Sequence, residues 1–219
     1  MKIIWFCLLN AIFITPLFAM DQSSFFRSFI NDSQTIGAVA ESSTHLAEEI
    51  CKFYPKDNPN PVRILEVGAG TGVFTRQLAK MLRPGDVLEV VELMPDFIKM
   101  LVKEFHSNQQ IKVFGIDVLT LSNEKPYDFI VSGLPFNSFS PEKVSEILQK
   151  YESVSKSGTV ISFFEYAALP TLKSLLMPSE DYDLTRTIIK SFVEKYEIEK
   201  NTVMINLPPA IVHHLLLCK

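Results

Sequence analysis

Apolar positions along the chain fall into short runs that alternate with longer stretches of helical spacing. The runs predict strands at 62–67, 87–92, 111–115, 127–132, 157–164, 197–205 and 210–217. The stretches between them predict helices at 35–53, 72–82, 95–106, 141–153 and 183–195. Strand–helix alternation of this kind argues for an α/β chain with a mostly parallel sheet and helices on both faces. The last two strands are joined by Leu207-Pro208-Pro209, too tight for a crossover helix, so they are expected to pair antiparallel. At 219 residues and 47% hydrophobic, the chain can bury a full core and is short for two domains of typical size.

The chemistry concentrates after the first strand, in Ile64-Leu65-Glu66-Val67-Gly68-Ala69-Gly70-Thr71-Gly72-Val73-Phe74-Thr75. In an open α/β sheet this is the strand, loop and helix start where a nucleotide-like ligand docks. Gly68 and Gly70 permit a tight turn and close backbone approach to that ligand. A dinucleotide fingerprint would need a glycine where Val73 stands, and a P-loop would need a lysine that is missing. The G-x-G-x-G of Gly68, Gly70 and Gly72 instead follows a carboxylate, Glu66, suited to the ammonium of a methionine moiety. Glu92 ends the second strand about twenty residues beyond the loop, where such folds place an acid that accepts ribose hydroxyls. Leu93 and Met94 offer apolar surface to an adenine face, and Asp117 closes the third strand as another acid.

This loop resembles motif I of the class I S-adenosylmethionine-dependent methyltransferases. The resemblance implies a Rossmann-like, seven-stranded sheet and S-adenosyl-L-methionine as cofactor. It assigns Glu66, Gly68, Gly70, Gly72, Glu92, Leu93, Asp117 and Val118 to cofactor binding, with Asp117 on the adenine amine.

The formal charge of −4 leaves no domain-wide basic field for nucleic acid. Cys51 and Cys218 lie in apolar contexts without metal-ligand spacing and are expected to be buried small hydrophobes. His213 and His214 sit in the final strand, one facing out and one in, and read as structural; His106 ends a helix.

The fourth strand, Tyr127–Ser132, leads into Gly133-Leu134-Pro135-Phe136-Asn137. Ribosomal RNA adenine dimethyltransferases carry Asn-Leu-Pro-Tyr here, with an asparagine oxygen receiving the target amine. This chain has Gly133 in that slot, which leaves backbone carbonyls, Ser132 and Asn137. Ser132-Gly133-Leu134-Pro135 is similar to the Ser-Gly-Leu-Pro of bacterial phospholipid N-methyltransferases. Further similarity lies in Phe25-Phe26-Arg27-Ser28-Phe29-Ile30, residues 35–40 and 43–47, Phe163-Phe164-Glu165-Tyr166 and Asn206-Leu207-Pro208-Pro209-Ala210. Glu41 departs from a more usual proline.

The resemblance implies methylation of the phosphatidylethanolamine amine toward phosphatidylcholine. Ser132, Gly133, Leu134 and Pro135 would frame the reacting nitrogen, and Tyr166, Glu165 and His45 are candidates for placing it or taking its proton. Transfer is an in-line displacement in which alignment does most of the work. A ribosomal RNA adenine dimethyltransferase and a non-catalytic cofactor-binding protein are the alternatives.

Residues 1–20 form an apolar leader after Lys2, with Pro16 and Ala19 near its end. It reads as a secretory signal peptide, as an uncleaved anchor, or as sequence ahead of a start at Met20. Residues 21–60 are expected to form a helical lid or membrane-contact segment, with Phe25, Phe26 and Phe29 among acyl chains, and 61–219 the catalytic domain. The enzyme is expected to be membrane-associated; methyl-donor supply points to the cytoplasmic face, whereas the signal-like leader would place it outside the cytoplasm.

Overall fold

The computed structural model describes residues 44–122, 124–166, 180–206 and 209–218. The leader, the Phe25–Ile30 segment and the Leu207-Pro208 turn lie outside them. Residues 44–50 are helical (α1). There follow β1 (Arg63–Val67), α2 (Val73–Met81), β2 (Val87–Val91), α3 (Pro95–Phe105), β3 (Ile111–Phe114) and β4 (Tyr127–Ser132). α4 (Pro141–Ser153), β5 (Ser155–Tyr166), α5 (Glu180–Tyr196), β6 (Glu197–Val203) and β7 (Ala210–Leu216) complete the chain.

The seven strands make one sheet in the order β3-β2-β1-β4-β5-β7-β6. β1 to β5 are mutually parallel, while β7 runs antiparallel to both β5 and β6. This is the expected Rossmann-like sheet with its antiparallel last strand. Strand order reverses between β1 and β4, and ligands dock at the carboxyl ends of strands flanking such a switch point.

Both faces of the sheet are covered. One core joins Leu46, Ile50 and Tyr54 of the N-terminal region to Phe74, Leu78, Leu101, Val131 and Val212. The other joins Leu65, Val67, Ile130, Phe163 and Leu215 to Val144, Ile147 and Tyr151 of α4 and Ile189 of α5. α4 begins at a proline after the N-cap Ser140, whose Oγ accepts from Lys143 N at 3.3 Å.

Two-sided cover changes the reading of β7. His213 and His214 are both buried, where one was expected to face out. His214 Nδ1 pairs with Ser162 Oγ at 2.7 Å, under α1, and burial lowers its pKa. His213 points to the α4/α5 face, stacked on Phe163 with ring centroids 5.1 Å apart. Cys51 is buried as expected, but Cys218 is exposed, because it follows the end of β7 and no element among the described residues covers it. β5 runs two residues further at each end than its apolar run, carrying Glu165 and Tyr166 to the carboxyl edge within the ladder. No helix among the described residues is long and apolar enough to cross a membrane.

Candidate active site

The loops leaving β1 and β4 meet at the switch point. Gly68, Gly70 and Gly72 all have positive φ, at 71°, 53° and 83°, a region that disfavours a side chain. Gly133 N donates to Val67 O at 2.8 Å, pulling the β4 loop against the β1 loop. A Cβ on Gly133 would stand 2.5 Å from Gly68 O, and one on Gly68 would stand 2.7 Å from Leu134 Cδ2. Glycine is needed at 133 by this main-chain contact and at 68 by its left-handed backbone, since Leu134 Cδ2 is the end of a flexible side chain.

Glu66 lies under the β1 loop, fully buried, and neither carboxylate oxygen has a partner in hydrogen-bond geometry among the described residues. Burial pushes its carboxyl up to about 8, against the opposing effect of Thr75. A buried carboxylate without a donor is costly, and a ligand that brings one would relieve that cost. The ammonium of a methionine moiety fits this requirement.

Glu92 caps the loop from β2. Its Oε2 accepts from Gly70 N at 2.8 Å, and Oε1 accepts from Leu93 N at 2.8 Å and Met94 N at 2.9 Å. A carboxylate has about four lone-pair sites, so these three bonds leave capacity for a hydroxyl. Leu93 beside it is 61% exposed and offers an apolar surface to a planar ring. Asp117 caps the short 3₁₀ turn Val118–Thr120 by accepting from Leu119 N at 3.0 Å, and pairs with Lys143 Nζ at 2.9 Å. That backbone bond, with Lys143, holds its carboxyl below the usual range against its partial burial. Val118 is buried in the core beneath.

On the acceptor side, Ser132 is fully buried, and its hydroxyl receives Tyr151 OH at 2.8 Å and Leu134 N at 3.4 Å. It turns into the core and holds the Gly133-Leu134-Pro135 loop, so its own side chain does not face the opening. Pro135 precedes a 3₁₀ turn, Phe136–Ser138, whose Phe136 is anchored edge-on against Phe163 at 5.4 Å. Tyr166 lies on the opposite face of β5, edge-on to Phe164 at 5.4 Å, which itself meets Phe74 of α2 at 5.9 Å. This aromatic row lines the side of the Gly133 loop that faces α2. Burial raises the Tyr166 phenol. His45 is exposed on α1.

A group that the strand pattern does not reveal sits below the loop on the other face. Glu165 Oε2 lies 3.5 Å from Asn137 Nδ2, and Glu165 Oε1 lies 3.5 Å from His213 Nε2. His213 Nδ1 pairs with Glu197 Oε1 at 2.6 Å. His213 read as structural because strand alternation cannot reveal a partner contributed by another strand.

Glu49, Glu199 and His214 also gather ligand atoms within 4.8 Å of one another. Lys52 pairs with Glu199, and Asn201 Nδ2 donates to Glu49 Oε1 at 2.6 Å, so these carboxylates already have donors. The group ties α1 to β6 and β7.

The family follows from comparison with known proteins. The model of the ribosomal RNA adenine dimethylase family matches residues 21–170. The chain belongs to this family. An ornithine lipid N-methyltransferase of Singulisphaera acidiphila is 31% identical over 142 residues, covering 62% of this chain and 73% of the relative. A malonyl-[acyl-carrier protein] O-methyltransferase of Ilyobacter polytropus is 23% identical over 188 residues, covering 82% and 71%. Among solved structures, the N-methyltransferase NodS of Bradyrhizobium japonicum with S-adenosyl-L-homocysteine superposes with a TM-score of 0.63 at 17% identity, covering 90% of this chain and 98% of that one. This member of the dimethylase family is an S-adenosylmethionine-dependent methyltransferase, and S-adenosylmethionine is its cofactor.

Proposed function

We propose that the protein methylates the amine of phosphatidylethanolamine, toward phosphatidylcholine, at the cytoplasmic face of a membrane. The observation that carries this reading is the crossing of Gly68 and Gly133. A side chain at 133 would overlap Gly68 O, so the slot that holds an asparagine in ribosomal RNA adenine dimethyltransferases is closed to one here. An acceptor nitrogen at this loop meets main-chain carbonyls and aromatic walls. The similarity to an ornithine lipid N-methyltransferase supports a lipid amine, and the net charge of −4 gives an RNA backbone little to hold.

The bound cofactor supplies an electrophilic sulfonium methyl. In this reading Glu66 holds the methionine ammonium directly or through a water, Glu92 the ribose hydroxyls, Leu93 the adenine face and Asp117 the adenine amine. Gly68, Gly70 and Gly72 bring the backbone close to the cofactor. Gly133, Leu134 and Pro135 align the nitrogen for in-line attack, Ser132 fixes their loop, and Tyr166 closes the wall beside it.

The family itself favours a second reading, an adenine of ribosomal RNA as acceptor. The two separate with labelled methyl donor, the full chain, and vesicles of phosphatidylethanolamine or ornithine lipid beside naked ribosomal RNA. Label in phosphatidylethanolamine is the expected result. Label in ornithine lipid alone would move the head group, and label in RNA alone would overturn the reading.

A further inference from the structure

We propose that Glu165, positioned by His213, is the seat of a positively charged acceptor amine, so that this site selects an ammonium head group over a neutral nucleobase amine. The inference rests on the proposed lipid-amine reading and adds a recognition residue to it.

The placement starts with the ladder. Ser132 pairs with Phe163, and Phe163 pairs with His213, so the end of β4, the end of β5 and the start of β7 share one row. Glu165 is two residues further along β5, on the same face as Phe163 and opposite Tyr166, which brings it beside Asn137 at the far end of the loop that leaves Gly133. Its side chain is 22% exposed, enough for a ligand to reach it.

The neighbours explain its orientation. His213 is buried and stacked on Phe163, with Nδ1 committed to Glu197. Its Nε2 is buried without a partner in hydrogen-bond geometry, 3.5 Å from Glu165 Oε1. The ring thus lies between two carboxylates, Glu197 at Nδ1 and Glu165 beyond Nε2. Arg186 and Tyr182 of α5 also lie near Glu165. Burial works to raise the Glu165 carboxyl, but His213, Asn137 and Arg186 outweigh it and hold the group below its usual range, ionised. Glu165 and Glu197 share the His213 imidazole, and Arg186 beside Glu165 is exposed, which leaves the ionised Glu165 within reach of a ligand's ammonium.

The proton count agrees with this role. A primary ammonium that loses one proton attacks the sulfonium methyl through its freed lone pair; the S–CH3 bond breaks as the N–CH3 bond forms. The products are a secondary ammonium, the neutral thioether and one proton released to solvent. Glu165 is charged complement to the amine before and after transfer, so it acts chiefly on binding.

The test uses Glu165→Gln, which keeps shape and removes charge, in the full chain with S-adenosylhomocysteine binding as the check on folding. KM for phosphatidylethanolamine should rise tenfold or more with the cofactor Kd unchanged. N-acetyl phosphatidylethanolamine, whose nitrogen carries no positive charge, should inhibit wild type and E165Q alike. His213→Ala should raise KM in the same direction, and His213→Gln, which returns an amide toward Glu165, should recover part of it. Equal KM in wild type and E165Q would remove Glu165 as the seat. A loss of thermal stability in H213A with KM unchanged would make His213 purely structural and overturn its positioning role. Wild type that binds S-adenosylhomocysteine but labels no lipid amine would overturn the lipid reading itself, and this assignment with it.

Discussion

The proposed cofactor half and the proposed acceptor half of the carboxyl edge are assembled in different ways. In the first, Gly68, Gly70, Gly72 and Glu92 belong to one β-α-β unit, and Glu92 acts on three main-chain N–H groups. In the second, Asn137, Glu165, Glu197 and His213 come from a loop and three strands that are distant in sequence. The halves touch where Gly133 N donates to Val67 O and the two loops cross. A main-chain site can be specified locally by glycines and one acid. A side-chain site depends on the register of an antiparallel strand, in which a one-residue slip would turn His213 to the other face.

The largest expected effect breaks the junction itself. Gly133→Asn restores the asparagine of the dimethyltransferases but drives Cβ into Gly68 O, so both halves should fail together. Overpacking of this kind costs about 1–3 kcal/mol, and transfer should fall by roughly a hundredfold or more as the loops separate. Thermal melting and a methyl-transfer assay check this; a variant that gained RNA methylation would show that the halves are independent.

Glu92→Ala confines the damage to the cofactor half. Charged hydrogen bonds are worth about 1.5–3 kcal/mol, so calorimetry should show cofactor affinity falling by at least about tenfold. Unchanged affinity would remove Glu92 from the site.

Glu66 gives the cofactor half a pH signature. Its carboxyl is pushed up to about 8 in the folded protein from the ordinary 4.5. Between these values the folded state holds the proton that the unfolded state has lost, so stability without cofactor should fall as pH rises, and level off above about 8. An ammonium ligand favours the ionised form, so cofactor affinity should climb across the same window by up to about tenfold per pH unit. Glu66→Gln should flatten both curves; a wild-type affinity independent of pH would place the methionine ammonium elsewhere.

The smallest effect sharpens the acceptor half. Tyr166→Phe should lower turnover a few-fold and leave cofactor affinity alone, as steady-state kinetics and calorimetry together would show. Equal turnover would reduce Tyr166 to packing against Phe164.

The same contrast explains what was legible in the sequence. The strands, the antiparallel end of the sheet and the Gly68–Glu92 unit were readable because periodicity, glycine spacing and a terminal acid are local signals. Gly133 was readable as a departure from an asparagine, but its cause, the approach of Gly68 O, is a contact between two loops. Ser132 read as part of the acceptor frame, whereas its hydroxyl is committed to Tyr151 of α4. Glu165 read as a candidate without its partners, and His213 as packing, because neither pattern nor spacing links β5 to β7. The exposure of Cys218 went unread for a similar reason: an apolar context does not tell where a strand ends.

The most direct measurement expresses the full chain in a host that makes phosphatidylethanolamine but no phosphatidylcholine, and analyses its lipids by mass spectrometry. N-methylated phosphatidylethanolamine that is absent with G133N is the result expected here. Unchanged lipids together with new dimethyladenosine in ribosomal RNA would contradict it.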